Sequence, residues 1–158
     1  MLRRDGEQAM AERYFDDFKV GDTFATASTT VTEAMIVEFA KVYDPQPFHI
    51  DPVAAKQTHF GGLIASGFQT LALGFRLVWD TGLFKVASMG SPGFDELRWL
   101  KPVRPGDTLH VEMEVTESRP SQSKPDRGIM RAAYKYMNQN GEAVLSYTAM
   151  HLLRRRPA

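Results

Sequence analysis

The sequence predicts an α+β domain in which a curved antiparallel sheet wraps around one long apolar helix. Three observations predict it. Residues 66–81 are apolar on nearly every side, and a helix of that kind calls for burial. Several runs in the C-terminal half alternate apolar and polar residues with period two, as half-buried strands do. One early strand and one short helix precede the apolar helix, so the later strands must fold over it.

The elements follow in chain order. Residues 23–31 are rich in Thr, Ala and Val and read as a first strand. Thr32 followed by Glu33-Ala34-Met35 opens a helix as an N-cap residue does. That helix runs to about Tyr43, where Pro45 and Pro47 forbid continuation. The stretch from Asp44 to His49 is then expected to be a rigid, extended loop. Asp51-Pro52 caps a short helical turn near residues 53–56. Phe68, Leu71, Ala72, Leu73, Phe75, Leu77, Val78 and Trp79 mark the central helix, and Gly82 its stop. At about 14 residues it spans roughly 21 Å, too short for a membrane. Strands are expected over 94–100, around 109–116, around 130–136 and over 143–153. Arg104-Pro105-Gly106-Asp107 and Asn140-Gly141 supply turns, and residues 118–128 a polar loop.

Composition narrows the function. The chain has 158 residues, enough for one domain, placed at 14–155 behind a flexible N-terminal segment, 1–13. Lysine plus arginine and aspartate plus glutamate number 19 each, so the chain lacks the basic excess of a non-specific nucleic-acid binder. There is no cysteine, which removes thiol catalysis, disulfides and cysteine-ligated zinc. The four histidines lack metal-ligand spacing, and no metal is expected. Neither a signal-peptide core nor a membrane-length apolar run is visible, which points to a cytoplasmic protein. The Arg154-Arg155-Arg156 tail reads as a solvated end.

The chemistry concentrates in Asp44-Pro45-Gln46-Pro47-Phe48-His49-Ile50-Asp51-Pro52. One carboxylate and one imidazole stand five positions apart on a segment stiffened by prolines. An acid and an imidazole held together can position and deprotonate a water. Either residue alone has a plainer reading: Asp44 as a helix end, His49 as a hydrogen-bonded structural histidine. Together, and followed by a glycine at the start of an apolar helix, they favour catalysis. His59 reads as a surface residue, and His110 and His151 as structural ones.

This segment resembles the signature of the MaoC-like (R)-specific enoyl-CoA hydratases, which have the hotdog fold. Two further segments agree: Phe60-Gly61-Gly62-Leu63-Ile64-Ala65-Ser66-Gly67, leading into the central helix, and the strand and turn over 96–109. The likeness covers roughly residues 18–153. It implies hydration of a trans-2-enoyl thioester to the (R)-3-hydroxyacyl thioester, or the reverse dehydration. Asp44 and His49 would share one water. The Gly67 N–H would stabilise charge on the thioester oxygen, a task suited to a helix N-terminus. Coenzyme A enters as part of the substrate, and no separate cofactor is expected. Gln46 stands where the family usually has Asn, and Ser66 where it often has His; both departures bear on substrate and rate.

Gln46, Phe48, Ser66, Phe68 and Phe75 are the expected substrate-binding residues. Met35, Phe39 and Leu71 are further candidates for an acyl slot, and Arg98, Lys101 and Arg104 for the phosphates of coenzyme A. A sheet around one helix leaves an edge and part of a face open, and similar hotdog proteins pair there; a homodimer is expected. Two other functions compete: a hotdog thioesterase, which attacks the carbonyl, and a non-catalytic acyl-thioester-binding protein.

Overall fold

A computed structural model describes residues 12–158. The expected flexible segment therefore lies outside the described residues up to position 11. Arg13, its last member, is held over the Phe24 ring at 5.1 Å.

After a 3-10 turn at Phe15–Asp17, the chain forms β1 (Thr23–Ala25), β2 (Thr29–Thr30), α1 (Glu33–Tyr43), α2 (Pro47–Ile50), α3 (Pro52–Lys56) and α4 (Gly67–Asp80). Four strands follow: β3 (Phe94–Trp99), β4 (Thr108–Pro120), β5 (Arg127–Met137) and β6 (Ala143–Arg154). The sheet is antiparallel in the order β1-β4-β5-β6-β3, with β2 also paired to β4. This is the hotdog arrangement that the sequence predicted, with α4 as the central helix.

The alternation dictates which way the sheet faces. Leu109, Val111, Met113 and Val115 of β4 are buried, as are Met130, Ala132, Tyr134 and Tyr136 of β5. Leu145, Tyr147, Ala149 and Leu153 of β6 continue that layer. Register shifts near Val115/Glu117 and Asp95/Arg98 are bulges that curve the strands around α4. Gly74 brings helix and sheet together: a Cβ there would lie 2.1 Å from Cε2 of Tyr136. The Tyr136 hydroxyl thereby reaches the α4 backbone and donates to the Leu71 carbonyl at 3.1 Å.

Several boundaries differ from expectation. The single strand over 23–31 is two short ones. Between them Thr26 N–H still donates to the Val111 carbonyl at 3.0 Å, but the Thr26 hydroxyl, not its carbonyl, accepts from Val111 N–H at 2.9 Å and donates to the Ala27 carbonyl at 2.7 Å, so a side chain takes over half of the ladder pair. The expected loop at 118–128 is shorter, because β4 runs through Pro120 and β5 begins at Arg127. The Asp44–His49 stretch is not wholly extended. Pro47 occupies the first turn of α2, where a missing N–H costs nothing, and His49 sits on that helix. The C-terminal arginines are not simply solvated: Arg155 pairs with Asp16, and Arg156 with Asp17.

The largest correction concerns α4. Its sheet-facing side buries Thr70, Gly74 and Val78, while the buried Gln69 turns to α1. Its other side is bare, with Phe68 61%, Phe75 50% and Trp79 46% exposed. One chain covers one side of this helix and leaves its aromatic side uncovered.

Candidate active site

Three helix ends converge on the site. Thr32 caps α1 by accepting from Met35 N–H, and α1 delivers Asp44 at its C-terminal end. Pro47 starts α2, which buries His49. Ser66 caps α4 by accepting from Phe68 N–H at 3.3 Å, which leaves Gly67 as the first helical residue. Two links tie these elements together. Ile64 N–H donates to the Phe48 carbonyl at 3.1 Å, and the Gln69 side-chain amide donates to the Met35 carbonyl at 2.8 Å.

The sequence-predicted pair does meet. His49 Nε2 lies 3.3 Å from Asp44 Oδ2. The other ring nitrogen, Nδ1, is 2.7 Å from the Ile64 carbonyl oxygen. A carbonyl only accepts, so Nδ1 carries a proton. In the neutral imidazole Nε2 then holds a lone pair, and it faces the carboxylate.

Asp44 is held at both oxygens. The Gln46 amide donates to Oδ1 and the Ser66 hydroxyl to Oδ2, each at 2.7 Å. Partial burial pushes the carboxyl upward, but the bonds from Ser66 and Gln46 and the nearby His49 outweigh it and hold Asp44 below its usual value. The carboxylate is therefore ionised at neutral pH and fixed in orientation.

A cavity of about 350 Å³ opens in front of the pair. Asp44, Gln46, Phe48, His49, Gly67 and Phe68 line it, which unites six of the eight expected site residues. The other two are placed elsewhere. Ser66 is fully buried and spent on Asp44 and the helix cap, so it supports the carboxylate and offers no surface to a substrate. Phe75 lines a second, more apolar cavity of about 260 Å³ near the C-terminal end of α4, with Tyr134, Tyr147 and His151. The three cations proposed for phosphates are each engaged: Arg98 with Glu96, Lys101 with Glu142, and Arg104 with the Phe60 carbonyl. Of the three, Lys101 lines the first cavity.

Two participants were not foreseen. The Ile64 carbonyl is a backbone group and carries no residue-type signal. Trp99 lines the cavity from the end of β3. Its ring lies over Gly67, where a Cβ would fall 2.4 Å from the indole Nε1. Glycine is thus required at position 67 by the indole as well as by any approaching ligand. Among the described residues no three His, Asp or Glu side chains gather as a metal site needs, and no helix is long and apolar enough to cross a membrane.

Comparison with known proteins settles the family. The MaoC like domain matches residues 17–133. The chain belongs to the MaoC-like family. A solved MaoC-like dehydratase from Rhodospirillum rubrum is 43% identical and superposes with a TM-score of 0.86 over 92% of this chain and 99% of that one. The uncharacterized protein YdeM of Bacillus subtilis is 32% identical over 140 residues, 89% of this chain and 98% of its own length. A mesaconyl-CoA hydratase from Cereibacter sphaeroides is 34% identical over 152 residues, 92% of this chain. This chain spans only 42% of that larger enzyme. MaoC-like relatives therefore include proteins named as hydratases and dehydratases.

Proposed function

We propose that this MaoC-like protein adds water across the double bond of a trans-2-enoyl-CoA to give the (R)-3-hydroxyacyl-CoA, or catalyses the reverse dehydration. The observation that carries the reading is the His49–Asp44 contact. With Nδ1 committed to Ile64, Nε2 and the ionised Oδ2 stand 3.3 Å apart at the cavity, and when the ring is neutral both are acceptors. One water can donate a hydrogen to each and turn its oxygen lone pair toward the cavity.

In the forward direction the water oxygen bonds to C3 while one of its protons passes to the Asp44–His49 pair. The C2–C3 π electrons move toward the thioester, and negative charge develops on the thioester oxygen. The Gly67 N–H, at the start of α4 and without a partner among the described residues, meets that charge. The pair then returns a proton to C2, so the sum is one water added and the catalyst unchanged. Ser66 and Gln46 keep Asp44 ionised and oriented through the cycle.

Phe48 and Phe68 offer apolar surface for the acyl group beside the pair. The bare stripe of α4 and the open β3 edge are the surfaces that a second copy would cover in a homodimer. The experiment is a direct assay. Purified protein mixed with crotonyl-CoA is expected to lose the conjugated enoyl absorbance without releasing thiol, and to yield the (R)-3-hydroxy product. Thiol release would point to a thioesterase instead. Bound thioester with neither change would leave a binding protein.

A further inference from the structure

The hydration reading supplies one donor for the thioester oxygen, and the structure holds a second beside it. Trp99 ends β3 opposite Leu145 of β6, with its ring edge-on to Phe68 at 5.8 Å. The side chain is about half exposed (49%) and lines the same cavity as Asp44, His49 and Gly67. Indole nitrogen is a donor only. Among the described residues no acceptor meets the Trp99 N–H, and the residue lines the cavity.

The distance to Gly67 can be bounded. A Cβ built on Gly67 would lie 2.4 Å from Trp99 Nε1. A Cβ lies about 2.5 Å from its own backbone nitrogen. Trp99 Nε1 is therefore within about 5 Å of the Gly67 nitrogen. Two N–H donors that close can both sit about 2.9 Å from a single oxygen. The absence of a side chain at Gly67 is what lets the indole come this near.

We propose that the Trp99 indole N–H is a second oxyanion donor, bonding the thioester carbonyl oxygen together with the Gly67 backbone N–H. The inference rests on the hydratase reading for its effect on rate. It makes Trp99 a catalytic residue, because the group touches the atom on which charge develops. Two donors in a partly dry cavity stabilise that charge more than one, and the gain is realised mainly in the transition state.

The test is Trp99→Phe, which keeps a ring over Gly67 and removes only the N–H and one fused ring. With crotonyl-CoA, kcat is expected to fall by roughly tenfold to a hundredfold while KM changes by less than about threefold. A second measurement needs no turnover. The chain has two tryptophans, so a 15N-labelled sample shows two indole resonances, and the one missing from Trp99→Phe is assigned to Trp99. In His49→Ala, where substrate binds without reacting, crotonyl-CoA should move that resonance downfield more than coenzyme A does. A Trp99→Phe enzyme with wild-type kcat, or an indole resonance unmoved when thioester saturates the protein, would overturn the inference. A downfield shift in a protein that hydrates no enoyl thioester would leave the contact standing and remove the hydratase reading.

Discussion

The two sides of α4 have opposite characters. The side against the sheet presents Thr70, Gly74 and Val78, all buried, with Leu71, Leu73 and Leu77 packed partly buried against the core. The side away from the sheet presents Phe68, Phe75 and Trp79, which are large and aromatic, and all are exposed. The leucines of α4 face inward as large apolar groups usually do, but its aromatic groups do not. At Gly74 the sheet supplies the bulk. Tyr134, Tyr136 and Tyr147 project from β5 and β6, and the helix offers them space. The Tyr136 ring packs against Gly74, and its hydroxyl contacts both the Leu71 carbonyl and the Tyr147 hydroxyl. The inner contact is therefore complete within one chain. The outer stripe is a contact that one chain leaves unmade.

That contrast can be broken most severely from the inside. Gly74→Leu would force side-chain atoms into the Tyr136 ring, where even a Cβ falls 2.1 Å away. The expected cost is about 3 kcal/mol or more, read as a large drop in the thermal midpoint or as loss of soluble protein. A melt close to wild type would show that the helix can withdraw from the sheet. On the outer side the effect should be on assembly. Phe75→Glu with Trp79→Glu should preserve the far-ultraviolet circular dichroism spectrum and halve the mass in sedimentation equilibrium. An unchanged mass would mean that the stripe is not the surface between copies.

A smaller effect tests the dryness of the inner layer near the far end of α4. His151 accepts or donates a hydrogen bond with the Tyr134 hydroxyl at 2.7 Å and stacks on Phe84. Burial lowers its pKa from 6.5 to about 4. The folded state thus prefers the neutral ring, while the unfolded chain takes up a proton as pH falls through about 6.5. Stability from this group is full above that value and declines as pH falls toward 4. The loss is up to about 3 kcal/mol. His151→Gln should flatten the acid side of the stability profile between those limits. A profile identical to wild type would mean that the ring is already wet.

How much of this was legible in the sequence depends on the range of each contact. Asp44 and His49 were legible because prolines punctuate their segment and only local chain geometry joins them. Even there, reading every proline as a breaker hid α2, since Pro47 starts that helix. The strands of the sheet were legible through alternation. The split at Thr26 was not, because it depends on Val111 across the sheet. Ser66 was recognised as part of the site but given the wrong partner; its bond to Asp44 spans 22 positions. Trp99 reaches Gly67 only through the tertiary fold, and the Ile64 carbonyl has no side-chain signature at all. The apolar character of α4 was plain from its residues, but which side the chain would cover followed from the placement of tyrosines on β5 and β6.

The central claim is that one water, held between Asp44 and His49, is added to an enoyl thioester. The most direct measurement is kcat for crotonyl-CoA hydration in wild type, Asp44→Asn and His49→Ala, with the thermal midpoint of each. The account predicts that each substitution lowers kcat by about 10²–10⁴-fold, with the fold retained. Near-full activity in either folded variant would contradict it.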